Sequence, residues 1–301
     1  MSIASVIVTF FTDALALPQM QRAFWIACIA GPAAGLLGCF ITARGMAFFS
    51  DAISHGAMTG VALGLMLQLA TDMYGPQMQI VLVVFCCGMA LVMAFLLERT
   101  TLRADTIIAF TFTGSVALGV VIIQRLRGYR VLEAALFGDI LAAGPEDVVV
   151  VALLCVLIIG FIVINGRALT LMVVHEDLAK IERIKVRLLH YSFVLLVALS
   201  IALLLKQLGA LLISGLVVIP AAAARVLAGG FRQMLGFSAI LGLIGAAAGL
   251  LASYHLETPT GPTIVLADVA LLIICMIAGI FLGRFRNKIG GTTSGTEGLH
   301  R

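Results

Sequence analysis

Apolar runs of about twenty residues each, broken by few charges, decide how this chain can fold. A run of that length and character is what a helix needs to cross a bilayer. In lipid only helices and closed barrels satisfy every backbone N–H and C=O. A barrel would alternate apolar and polar residues through short strands, and these runs do not alternate. Only 11% of the 301 residues are charged, against about 25% in a typical soluble domain, which leaves no room for a large soluble unit. The expectation is an all-α polytopic transmembrane bundle of about 8–9 spans. The runs fall near 22–42, 52–70, 77–97, 105–123, 147–165, 190–206, 208–228, 232–254 and 261–283. Only Lys206, Gln207 and Gly209 separate the sixth run from the seventh, so eight spans with one broken helix is the alternative count.

Basic residues orient such a bundle, because Lys and Arg accumulate in cytoplasmic connections. With nine spans, the segments at 98–105 and 166–189, the turn between Arg225 and Arg232, and the tail with Arg284, Arg286 and Lys288 share one side. That side is assigned to the cytoplasm, with the C-terminus there and the N-terminus opposite. The segment QRLRGYR, 124–130, puts three arginines on the other side; an amphipathic or entrant piece there, or a miscounted span, would account for it. The first residues lack a basic stretch and Asp13 interrupts their apolar run, so no cleavable leader is expected. Residues 1–289 read as a single transmembrane domain, and the Gly/Thr-rich residues 290–301 as a disordered cytoplasmic tail.

Asp51 and His55 are the candidate chemistry. A carboxylate and an imidazole four residues apart share one face of a helix. An ionisable residue inside a span is costly and marks a path or a site by default. Both are ligands for divalent transition metals, and two ligands suit a transit site that must release its ion better than a closed tetrahedral one. The spacing equally allows Asp51 to be an N-cap or first-turn acid, with His55 hydrogen-bonded in a packed interior. Gly56, Gly60 and Gly64, and Gly31 with Gly35, recur at four-residue steps that let helices approach closely. Asp105, Asp147 and Asp268 read as span-end or shallow, and His190 and His255 as interfacial. Pro220 reads as a kink.

The longest charged stretch, residues 172–191, contains EDLAKIER, with acids toward its start and bases toward its end as a helix dipole favours. Glu176 can pair with Lys180. A short amphipathic helix held there is suited to dock on another protein, and a plain positive-inside loop is the other reading. Other chemistries fail on inspection. After His175–Glu176 the fourth position is Ala179, so H-E-x-x-H is absent. Ser214–Gly215 has no positioned base. No P-loop sequence occurs, so ATP hydrolysis would need another subunit. A net charge of +4 is absorbed by inner-side Lys and Arg and argues for no nucleic acid. The six cysteines lie in apolar runs with no metal-binding spacing and read as small buried hydrophobes.

The chain resembles the permease subunits of zinc, manganese and iron ABC importers, the ABC-3 family. The resemblance spans about residues 22 to 286. It rests on RGMAFFSDAISHGAMTGVALG (44–64), LRADTIIAFTFTGSVALGVVI (102–122), LFGDILAAGPED (136–147), LLISGLVVIPAAAARVLA (211–228) and PTGPTIVL (259–266) in this order. It implies an inner-membrane permease with no catalytic residue of its own, working as a homodimer with two cytoplasmic ABC ATPase subunits, an extracytoplasmic metal-binding protein and membrane lipid. It implies Asp51 and His55 as pathway ligands for a transported Zn, Mn or Fe ion, with no permanently bound cofactor. By the same resemblance EDLAKIERIKV (176–186) is the ATPase-coupling helix, with Glu176, Asp177, Ala179, Lys180 and Arg183 as its contact residues. Family members usually carry Gly and often Pro late in this segment, where this chain has Arg183 and Lys185. A secondary metal carrier not driven by ATP is the alternative; it would want acids spread over several spans.

Overall fold

A computed structural model describes residues 16–69, 75–126, 129–174, 182 and 185–290 of the chain. The described residues form helices α1 (Pro18–Ala43), α2 (Phe48–Met66), α3 (Pro76–Arg99), α4 (Ala104–Arg125), α5 (Tyr129–Phe137), α6 (Pro145–Val174), α7 (Val186–Leu227), α8 (Phe231–Leu256) and α9 (Thr260–Gly290). Several starts carry the signals expected of them. Prolines open α1 and α3, where a missing N–H costs nothing. Glu146 and Asp147 sit in the first turn of α6, favourably placed in the dipole field.

Seven of these helices are long and apolar enough to cross a membrane. Two further facts bear on the expected 8–9 spans. First, α2 runs between the same two ends of the bundle although it is too polar to count among the seven. It is 19 residues long, close to 30 Å at 1.5 Å per residue. Second, α7 runs the length of the bundle twice. Its 42 residues are broken at Gly209, whose φ of 71° and ψ of 164° are not helical. The first limb runs antiparallel to α3, with Arg187 and Tyr191 on Glu98 at one end and the Gln79 amide donating to the Ala202 carbonyl toward the other. The second limb returns beside α9: Gly209 lies near Gly138, Gly215 packs on Val265, and Val226 meets Gly279. Pro220, read as the kink, stays within helical geometry. The reversal belongs to Gly209, which alone among the residue types adopts positive φ freely.

The reversal is tight because two glycine backbones meet. Gly138 and Gly209 both have positive φ, and a Cβ on either would come within about 2.4 Å of the other's backbone nitrogen. The Asp139 N–H donates to the Lys206 carbonyl, freed from the first limb at the turn.

Close approach also fixes the rest of the bundle, as lipid-embedded helices require in the absence of a hydrophobic drive between them. The glycines singled out by spacing are contact points. Gly31 faces the Gly242 carbonyl, Gly35 faces Ser238, and Gly56, Gly60 and Gly64 receive Met89, Phe85 and Met78 of α3. Gly38, on the same helix as Gly31, is tighter still against the Val217 carbonyl. Ser238 donates its hydroxyl to the Gly35 carbonyl at 2.8 Å. The core lies where α1, α2 and both limbs of α7 meet, around Phe40, Phe49, Leu37 and Ile53. Helices α6 and α9 line the outside and expose Val163, Ile164 and Phe281.

The contacts sort charges by end. Arg44, Arg99, Arg103, Arg187, Arg225 and Arg232 gather where α1 ends and α2 begins. At the opposite end Glu133, Asp139, Glu146 and Glu257 are exposed. Arg125 closes α4 at that same acidic end, so this arginine opposes the charge rule in the fold as well. The cysteines stay in the apolar interior as read: Cys39, Cys86 and Cys275 are buried, and Cys28, Cys87 and Cys155 half-buried, all unpaired.

Candidate functional site

Helix α2 is built differently from its neighbours. Ser50, Asp51, Ser54, His55 and Thr59 interrupt its apolar sequence, and α3, α4 and α7 pack around it. Most of it is buried, from Phe49, Ser50 and Ala52–Ser54 through Gly56–Ala62. The exceptions in its first half are Phe48, which is exposed, and Asp51 and His55, which are half-buried. These three positions, three and four residues apart, form one open stripe on a covered helix.

Asp51 stands in the first turn of α2, as one of the two sequence readings allowed. It does not serve as N-cap: that position is Ala47, without a side-chain hydrogen bond. The positive end of the helix dipole stabilises its charge. His55 follows one turn later, about 6 Å along the axis, its ring edge-on to Phe112 of α4 at 5.8 Å between centroids. Neither side chain is held by a hydrogen bond among the described residues, so the packed-interior reading of His55 fails. Both keep free lone pairs on the open stripe.

The wall beside the stripe is rigid. The Thr59 hydroxyl donates to the Ser115 carbonyl of α4, and the Ser115 hydroxyl lies 3.3 Å from the Thr59 hydroxyl and 3.5 Å from the Gly56 carbonyl. Gly119 leaves room for Thr59, and Gly56 leaves room for the Met89 thioether. These contacts hold α2 against α3 and α4 at the level of His55. The outer face of α4 next to them exposes Asp105, Ala109, Thr113, Gly114 and Ala117 interleaved with Phe110, Leu118, Val120 and Val121.

Chemically, the stripe offers one hard oxygen donor and one imidazole nitrogen. Among the described residues no three His, Cys, Asp or Glu side chains come together as a metal cage. Asp51 and His55 are thus a pair of donors without a third such side chain beside them among the described residues.

The other residues picked from the sequence lie elsewhere. His190 meets the Arg44 guanidinium at 2.9 Å at the basic end, and His255 lies edge-on to Tyr254 at the other. Ser214 donates to the Leu211 carbonyl, ordinary back-bonding in a helix. Asp105 is an exposed first-turn acid of α4. The connector residues Glu176, Asp177, Ala179, Lys180 and Arg183 lie outside the described residues.

Two acids are more enclosed than the sequence suggested. Asp147 is a span-end residue, as read, but is buried among three donor groups. Lys206 Nζ lies 3.0 and 3.2 Å from its two oxygens, the Gln207 amide donates at 2.9 Å and the Gly144 N–H at 2.9 Å. Asp268 is not shallow: it is 2% exposed, inside α9, in the notch left by Gly245. Both its oxygens are without hydrogen-bond partners. Lys206 and Gln207 were visible as a polar interruption, but their partner 59 residues earlier was not.

The comparisons with known proteins agree with this architecture. A family profile described as the ABC 3 transport family matches residues 16–279. The high-affinity zinc uptake system membrane protein of Haemophilus influenzae is 33% identical over 241 residues, covering 80% of this chain and 90% of the relative. A manganese transport system membrane protein of Halalkalibacterium halodurans is 30% identical over 293 residues, covering 96% and 98%. Among solved structures, PsaBC from Streptococcus pneumoniae in complex with Fab superimposes with a TM-score of 0.76 at 29% identity, covering 89% of this chain and 95% of that one.

Proposed function

The chain belongs to the ABC 3 transport family, and we propose that it is the membrane-spanning permease subunit of an ATP-driven importer of a divalent transition metal ion, zinc or manganese, with iron next. The observation that carries the reading is the open stripe of α2, where Asp51 and His55 point free lone pairs from an otherwise covered helix. Zinc and manganese uptake in the two relatives above fits that donor pair, and carboxylate with imidazole suits zinc, manganese and ferrous iron alike.

The ion is substrate here. Asp51 offers charge and an oxygen, His55 a nitrogen, and retained waters fill other positions. A site with so few protein ligands binds well enough to admit the ion and loosely enough to release it. The half-exposure of both side chains lets the ion exchange. A second copy of the chain, packed on the outer face of α4, would bring a second Asp51 and His55 to the same path and close it from lipid. The homodimer is thus part of the proposal.

No P-loop occurs in the sequence, so ATP hydrolysis belongs to two partner ATPase subunits. The basic end, by the positive-inside rule, faces the cytoplasm and carries the C-terminus. The segment 176–186, with Glu176, Asp177, Ala179, Lys180 and Arg183, is the proposed docking helix on that side. An extracytoplasmic metal-binding protein delivers the ion to the acidic end, and the localisation is the inner membrane. Residues 1–289 are the permease domain and residues 290–301 a tail.

The test is zinc and manganese uptake into proteoliposomes holding the permease, its ATPase and its binding protein. Uptake must require ATP hydrolysis and all three proteins. Uptake by the permease alone, driven by an ion gradient and indifferent to ATP, would overturn the reading.

A further inference from the structure

Helices α6 and α8 both pack on α1 and leave a groove between them at the basic end. A cleft of about 500 Å³ opens there, floored by Phe40 and walled by Ile162 and Leu235. Its rim carries Arg167 and Thr170 from α6, Arg232 from α8 and, beside Arg167, Glu182. Phe40 is 1% exposed and is wedged against Phe231 at 5.1 Å between ring centroids, so the floor is fixed. Gly166 on one flank and Gly236 farther along α8 have nothing within 4 Å of where a side chain would begin, which keeps the groove open along its length.

The depth of the cleft matters as much as its lining. Arg232 is the second residue of α8 and Phe40 lies just before α1 ends at Ala43. The rim is therefore at the boundary between hydrocarbon and water, while Ile162 and Leu235 lie on the hydrocarbon side. The exposed Val163 and Ile164 beside it mark this as a lipid-facing side of the bundle. Two cations over an apolar groove at that level match an anionic headgroup with acyl chains below it. Of the two, Arg232 has no partner among the described residues. Arg167 has only Glu182, at 3.4 Å, with the two side chains 85% and 45% exposed. An ion pair so exposed is weak and yields to a phosphate, which a guanidinium binds through paired N–H donors.

We propose that the α6–α8 groove is a binding site for an anionic phospholipid of the surrounding bilayer, its phosphate held between Arg167 and Arg232 and its chains along Ile162 and Leu235. Glu182 belongs to the charged connector, so occupancy of the groove releases the connector from Arg167. The inference rests on the membrane-spanning fold and is independent of which metal is carried.

The experiment is a native mass-spectrometry titration of the purified permease–ATPase complex with phosphatidylglycerol, phosphatidylcholine and glycerol phosphate in separate arms. Wild type should retain phosphatidylglycerol preferentially and neither of the other two. The double variant Arg167→Gln/Arg232→Gln should bind it about twenty-five-fold more weakly, at roughly fivefold per basic residue near a headgroup. Leu235→Trp, which fills the groove and leaves both charges, should also displace it and guards against a double variant that misassembles. Unchanged phosphatidylglycerol binding in both variants overturns the proposal, as does equal retention of phosphatidylcholine by wild type. Loss of the ATPase from the double variant with phosphatidylglycerol binding intact also overturns it and would assign the arginines to the ATPase interface.

Discussion

The reversal in α7 depends on a charge pair, and breaking it from one side should be costly. In Lys206→Met the stem volume is kept and the cation removed. Asp147 then loses the partner at 3.0 Å, and only the Gln207 amide and the Gly144 N–H remain on its carboxylate. Removing one member of a buried pair costs about 3–5 kcal/mol, whereas exposed pairs contribute at most about 1 kcal/mol. With the Asp147 side chain 9% exposed and that of Lys206 24% exposed, the site stands nearer the buried limit, and about 2–3 kcal/mol follows. Asp147→Asn should cost less. It leaves a lysine near a span end, where a long side chain can carry its charge to water.

The assay is unfolding of the purified permease in mixed micelles by titration with SDS. Both single variants should unfold at lower SDS fraction, with Lys206→Met the worse. The double variant Asp147→Asn/Lys206→Met should recover part of the loss, with a coupling of about 1–2 kcal/mol. Strictly additive losses, or a Lys206→Met variant as stable as wild type, would show that the pair does not secure the turn.

Four further outcomes follow from named contacts. Gly38→Ala drives a methyl into the Val217 carbonyl and should cost about 1–3 kcal/mol or more, while Gly160→Ala, with open space around it, should be neutral or stabilise by up to about 1 kcal/mol; equal unfolding midpoints for the two would contradict the packing. Asp268→Ala removes a buried carboxyl that has no partner and should raise the midpoint by about 1 kcal/mol; a large loss of stability would mean the carboxyl is satisfied in the membrane. Asp51→Asn and His55→Ala should leave an assembled complex in the membrane with uptake at limiting metal reduced about tenfold or more, a factor worth about 1.4 kcal/mol, and normal uptake by both would remove them from the path. Ala179→Trp should weaken co-purification of the ATPase while metal binding by the permease persists; full co-purification with unchanged ATPase stimulation would reduce the connector to a charged loop.

The sequence was most legible where chemistry must punctuate oil. The spans could be counted from apolar length, and the four-residue glycine steps named helix contacts that the fold contains. Asp51 and His55 stood out because ionisable residues inside a span demand a reason. Which face of each helix looks inward was not legible, because a helix apolar all round has no stripe to read. Glycine was also ambiguous one residue at a time. Gly31 and Gly160 look alike in the sequence, yet one meets the Gly242 carbonyl and the other has nothing within 4 Å. The turn of α7 was half visible in Lys206, Gln207 and Gly209. Its cause was not, since Asp147 and Gly138 are distant along the chain and reach the turn only through the tertiary fold. Asp268 was misplaced for the same reason: its distance from the span end suggested a shallow position, and the notch at Gly245 that holds it is a feature of another helix.

The polarity of α2 ties the fold to the function. A helix with Asp51, His55 and three hydroxyl residues cannot face hydrocarbon cheaply, and α2 avoids doing so by lying among α3, α4 and both limbs of α7. That shielding would be enough for a structural helix, and it would then be complete. Instead the covering stops at one stripe, and the two strongest metal ligands of the helix fall on it. An isolated copy in lipid would expose Asp51 to the very solvent the rest of α2 is hidden from. The other described residues leave the stripe uncovered, and α4 beside it presents Ala109, Gly114 and Ala117, small residues that allow close approach of a protein surface, among the larger Phe110 and Val121. The proposed second copy would screen the carboxylate from lipid and bring a second Asp51 and His55 to the line where the copies meet.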